Sequence, residues 1–158
     1  MKRNSFIALL GLILLGCSTS LKLKTDSDRV SLKLKQEITR FIEFEDSLIS
    51  AGHRITKSSV INIDFYNDEN SGNCFLKINS GLVYYKCCLK GGVIYKDRLI
   101  VFYDWRSFCS TGFFNGEMAK TFPQKYRWFE NERDIPFYNE RIFKYEIISP
   151  DSLKLVSK

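Results

Sequence analysis

Before Gly52 the apolar residues of this chain recur every three to four positions, and after it they recur every second one. Between Val30 and Ser50, Leu34, Ile38, Phe41, Ile42, Leu48 and Ile49 are separated by Lys, Gln, Glu and Arg, which predicts an amphipathic helix. Ser31 or Asp28 can cap its start, and Gly52 can stop it. Past that glycine, Ile61, Ile63 and Phe65 alternate with Asn62 and Asp64, so residues 59–66 read as a strand closed by the turn-rich segment Asn67 to Asn73. Further strands are expected at 74–79, at 82–89 after a turn at Ser80-Gly81, and at 93–103 after a turn near Gly91-Gly92. Residues 142–148 and 152–156 flank Ser149-Pro150-Asp151, where proline presets φ for a final hairpin. Residues 104–139 look irregular, with turns at Gly112, Gly116 and Pro123. A one-faced helix followed by short strands predicts an α+β fold, with the helix packed on an antiparallel β-meander of roughly six to eight strands. A lipocalin-like β-barrel is the alternative, and would enclose a small apolar ligand. Ser-Leu-Lys-Leu recurs at 20, 31 and 152 without a fixed period, so no repeat architecture is implied.

The N-terminus has its own pattern. Lys2 and Arg3 precede an apolar run from Phe6 to Gly16, eleven residues long and well short of the roughly 20 that span a bilayer as a helix. The run closes on Leu14-Leu15-Gly16-Cys17, which resembles the lipobox of bacterial lipoprotein signal peptides. That resemblance covers residues 1–17 and implies a signal peptide at 1–16, cleavage before Cys17 and acyl chains on that cysteine. It also implies a membrane as partner and a bacterial cell-envelope location facing the periplasm or the cell surface. Polar residues make 17–29 the expected tether, although Leu21 and Leu23 argue for a docked segment, and 30–158 the globular domain. The 142 residues from Cys17 onward suit one domain with a real core. Removing Lys2 and Arg3 lowers the formal charge from +6 to +4. So small an excess, at an envelope address, argues against nucleic acid as a partner.

Apart from Cys17 the cysteines are Cys74, Cys87, Cys88 and Cys109, an even number in a compartment expected to be oxidising. A two-residue loop at Ser80-Gly81 would set Ile78 opposite Val83, Leu76 opposite Tyr85 and Cys74 opposite Cys87, within disulfide reach. Cys88, on the other face, would then be placed to reach Cys109.

Candidate chemistry is sparse. His53 is the single histidine and follows the helix end, where a cation favours the dipole. No metal motif is present, no cofactor is indicated, and the adjacent Cys87-Cys88 lacks Cys-x-x-Cys spacing. Acids cluster at Glu43, Glu45 and Asp46, at Asp64, Asp68 and Glu69, and at Glu130, Glu132 and Asp134, so a hydrolase acting on envelope glycans is one reading. The oxygens of Asp68 to Asn73 suit calcium, but the glycine and the closing residue are misplaced for an EF-hand. Ten aromatics between Phe102 and Phe129 mingle with basic residues, and such density means either core filling or a surface platform for sugar rings or partner side chains. The platform reading nominates Trp105, Arg106, Phe113, Phe114, Tyr126 and Trp128, and with it a non-enzymatic module binding an envelope protein or glycan.

Overall fold

The computed structural model describes residues 22–53, 58–80, 84–127 and 141–158. Helix α1 spans Leu32–Ser50. Six strands follow: β1 (Val60–Asn67), β2 (Cys74–Asn79), β3 (Leu89–Tyr95), β4 (Arg98–Asp104), β5 (Ile142–Ser149) and β6 (Ser152–Ser157). They form one open sheet in the order β3-β4-β1-β2-β5-β6. A helix against a sheet is the expected α+β arrangement, but the meander is not formed. β1 pairs β4 in parallel, whereas the other neighbours are antiparallel. Nor is the sheet a closed barrel: β3 and β6 are its edges.

The mixed topology follows from β4, which is buried at every position. Ile100 and Phe102 join the cluster under α1, while Leu99, Val101 and Tyr103 join a second cluster on the opposite face. A strand apolar on both faces belongs inside a sheet rather than at its edge. The expected strand at 93–103 is two strands, split by a turn at Lys96 and Asp97, both at positive φ (47° and 61°) as the two-residue hairpin turn demands. The strand expected at 82–89 is also absent from its described part: Lys86–Cys88 form a single 3-10 turn, and pairing begins at Leu89. Gly91 and Gly92 lie inside β3 instead of turning, and close packing accounts for the glycine at 92, where a Cβ would stand 2.7 Å from the Phe122 ring and 2.9 Å from the Ile100 carbonyl.

α1 begins where Ser31 Oγ accepts from the Leu34 amide at 3.3 Å. It ends with Gly52 at φ 81°, where the Gly52 and His53 amides donate to Ile49 and Leu48 carbonyls. Its inner face buries Leu34, Ile38, Phe41 and Ile42 on Ile61, Ile63, Phe65, Leu76, Ile78, Phe143 and Tyr145. At the helix end, buried Glu45 pairs with Arg98 and, at 3.1 Å, with Arg141, while Asp46 takes the other Arg98 nitrogen at 2.7 Å. α1 therefore runs from the sheet end holding Asn67, Cys74 and Asp104 to the end holding Val60, Asn79 and Arg98. Of the expected tether, residues 22–29 are docked in helical turns, with Leu23 and Asp26 buried. The expected signal peptide at 1–16 and Cys17 lie outside the described residues.

Candidate functional site

Beyond β4 the chain is held by one carboxylate. Asp104 accepts from the Ser107 amide (2.9 Å) and hydroxyl (2.8 Å) and from the Ser110 amide (3.3 Å) and hydroxyl (2.5 Å). Burial pushes its carboxyl up, but these four donors outweigh that and hold it below the usual aspartate value. Cys109 in the same loop is bonded to Cys74 at the start of β2, with α-carbons 5.4 Å apart. The pairing differs from the expected one because β2 lies between β1 and β5 and never faces the Cys87 segment. Cys87 and Cys88 are thiols, with sulfurs 3.7 Å apart, Cys87 exposed and Cys88 buried. Burial first, and then the neighbouring Cys87, push the Cys88 thiol up to about 12.

Within this pinned loop Arg106 and Phe108 both sit at φ 58°, a conformation that costs a non-glycine residue about 1–3 kcal/mol. Such strain persists only where surrounding bonds over-determine it, as the Asp104 cluster and the disulfide do here. Trp105 continues the β1 pairing, its amide donating to the Phe65 carbonyl at 3.0 Å. Its indole is 42% exposed, packs edge-on against Tyr85 at 4.7 Å, and donates from Nε1 to Asp64 at 3.4 Å. The other Asp64 oxygen accepts from the Asn79 amide group at 2.9 Å. Asp64, Tyr66, Lys77, Tyr85 and Trp105 line a shallow concavity of about 290 Å³. Next to it Tyr66 stacks on Phe75 at 5.8 Å and 22°, and the Lys144 ammonium lies 4.5 Å over the Phe75 ring. Aromatic surface beside a carboxylate and an ammonium can take the face of a sugar ring while holding its hydroxyls, or take a partner's mixed side chains. A second concavity of about 310 Å³, lined by loop residues Ser110 to Met118 with Lys90 and Lys120, offers only Phe114 as an aromatic wall.

The expected platform does not assemble as one surface. Phe113 is fully buried on Phe65 at 5.2 Å, and Phe114 is half-buried between Phe65 and Phe102. Tyr126 is buried in the outer cluster, its hydroxyl donating to the Asp97 carbonyl. Trp105 and Arg106 are exposed, and Trp128 lies outside the described residues. The reason is alternation and chain reversal: the aromatic segment wraps from the helix side of the sheet to the other face and serves two cores. Sequence reading placed Asp64 among the clustered acids and not in the platform, and missed Tyr66, Lys77 and Tyr85. The signal was there for three of these four, since Asp64 and Tyr66 alternate with Ile63 and Phe65 and Lys77 sits between Leu76 and Ile78, which puts all three on the face away from α1.

Of the clustered acids, Asp64 lines the concavity, whereas Glu45, Asp46 and Asp68 serve structure. Glu45 and Asp46 hold Arg98, and Asp68 accepts from the Ser71 hydroxyl at 2.6 Å in its own turn, which lowers its carboxyl below the usual range. Glu130, Glu132 and Asp134 lie outside the described residues. Among the described residues no three His, Cys, Asp or Glu side chains gather as a metal site, and no helix is long and apolar enough to cross a membrane. No family model, curated protein or solved structure matches this chain.

Proposed function

We propose that this chain is a lipid-anchored module of the bacterial envelope, held by acyl chains on Cys17, that binds a glycan or partner side chains without catalysis. The carrying observation is Trp105: a large apolar ring left 42% exposed over a concavity with Asp64, Tyr66, Lys77 and Tyr85, beside a loop stapled by a disulfide and a four-donor carboxylate. Preorganised rings lose little conformational freedom on binding, so such a surface suits recognition. The acid and base in the concavity suit a polar ligand carrying hydroxyl or amide groups, such as an envelope saccharide.

The test is fluorescence titration of the full chain carrying Trp128→Phe, so that Trp105 is the single reporter, with peptidoglycan fragments and envelope glycans. Protection of Trp105 from acrylamide on addition, abolished in Asp64→Ala, supports the reading. A Trp105 that stays equally open to acrylamide with every glycan and envelope extract sinks it. Acyl mass on the Cys17 peptide checks the anchor separately.

A further inference from the structure

We infer that Cys87 and Cys88 form a redox modification site, which a small external disulfide closes into a bond between the two neighbours, loosening Tyr85 from Trp105. The bond itself is independent of the proposed function; its effect on recognition rests on the Trp105 concavity being the binding surface. In the structure both residues are thiols. The exposed Cys87 thiol donates to the Cys88 sulfur at 3.7 Å, and Cys88 donates in turn to the Tyr85 carbonyl at 3.8 Å. Among the described cysteines each has only the other within reach. Cys74 and Cys109 are bonded together and pack with the cluster under α1, whereas Cys88 packs with Val60, Leu99 and Val101 on the opposite face of the sheet.

The co-reactant is a low-molecular-weight disulfide, the class that oxidises protein thiols by exchange. Cys87 is the accessible sulfur. Its thiolate attacks the external disulfide, forming a mixed disulfide and releasing one thiolate. Burial pushes the Cys88 thiol up, so Cys88 is inert toward solutes and reacts only with the sulfur already beside it. It gives its proton to the released thiolate and attacks Cys87 Sγ, which expels the second thiolate. Both protein thiols are oxidised, the external disulfide is reduced to a pair of thiols, and the protons of Cys87 and Cys88 end on them. The α-carbons of adjacent residues stand about 3.8 Å apart across a trans peptide, short of the roughly 4.4–6.8 Å at which disulfides are relaxed. The new bond is therefore strained and easily reduced again, unlike Cys74–Cys109, whose α-carbons are 5.4 Å apart.

That strain reaches the concavity. The sulfurs must draw together from 3.7 Å to about 2.05 Å, and the Tyr85 carbonyl loses the Cys88 thiol as donor. With Cys88 held in the outer cluster, the Lys86–Cys88 turn is the part that gives, and Tyr85 is the residue that caps it. The Tyr85 ring packs edge-on to Tyr103 at 5.7 Å and to Trp105 at 4.7 Å, so its shift opens one wall of the concavity.

The test treats the full chain, reduced at Cys87 and Cys88 and bonded at Cys74 and Cys109, with oxidised glutathione, and follows it by mass spectrometry after alkylation. The expected product has lost a pair of hydrogens, carries no glutathione and takes no alkyl label on the peptide holding Cys87 and Cys88. A mild thiol should restore both labels while Cys74–Cys109 stays closed. Cys88→Ser should stop at a glutathione adduct on Cys87, and Cys87→Ser, a change at the surface, should leave Cys88 unmodified. In a Trp128→Phe background, oxidation should raise acrylamide quenching of Trp105, and Cys87→Ser should abolish that rise. A parent chain that accumulates the glutathione adduct, or a dimer linked through Cys87, overturns the site. Closure that leaves Trp105 quenching unchanged overturns its link to the concavity. Failure of the glycan titration on the reduced chain overturns the proposed function alone, because the bond and the quenching are read without a glycan.

Discussion

Asp104 converts a strand end into a rigid loop, and its effect depends on ionisation. Its carboxyl lies below the usual aspartate value in the fold, so its stabilisation is fully present above the unfolded value of about 3.9 and is lost as pH falls through the lower folded value. Asp104→Asn should cost about 1–3 kcal/mol at neutral pH. The gap to the parent protein should close below about pH 4, as read from urea midpoints across pH. A second residue-level contrast lies in the neighbouring thiols. Cys88 is buried with its thiol raised to about 12, whereas Cys87 is exposed. A maleimide at neutral pH should label Cys87 in the native protein and reach Cys88 only after unfolding, by mass spectrometry of the peptide that carries both. At this scale the sequence was partly legible. Trp105 and Arg106 stood out by composition and are exposed, but Phe113 and Tyr126 carried the same signal and are core. Residue type reports how much area a side chain can bury, and not which surface it meets.

Among the elements, α1 was readable because every local cue agreed: period, a serine cap and a glycine stop, all present in the structure. The strands were readable as strands where they alternate, in β1, β2, β5 and β6, and misread where they do not. Tyr95-Lys96-Asp97-Arg98 has no glycine or asparagine, so the β3–β4 turn left no signal, and Gly91-Gly92 gave a turn signal inside a strand. The cysteine pairing failed at this level, since it required a hairpin partner for β2 that another strand supplies. The bond found, Cys74 to Cys109, spans 35 positions. Closing a loop of that length restricts the unfolded chain by roughly 3–4 kcal/mol. Cys74→Ser with Cys109→Ser should lower stability by that order in denaturant titration, and should leave Trp105 more accessible to acrylamide as the loop loses its staple.

Across the whole molecule, the helix, the parallel strand and the start of the final hairpin are tied by Arg98 and Glu45, both buried, with Asp46 and Arg141 as outer partners. Removing one member strands a charge in the core, so Arg98→Met should cost about 3–5 kcal/mol. Arg98→Met together with Glu45→Leu should cost clearly less, and urea midpoints of the single and double variants measure the difference. By itself the sequence determined the α+β class, the helix with its caps and the alternating strands, because these depend on neighbours within a few positions. Only the tertiary structure decided that β4 enters beside β1, that Cys74 meets Cys109, that the segment from Leu23 is docked, and that Trp105 lies over Asp64 while Phe113 disappears. Each of these is a choice among surfaces of nearly equal apolar character, made by how the two faces of one sheet are filled at once. That competition involves residues far apart in the chain and leaves no period in the sequence.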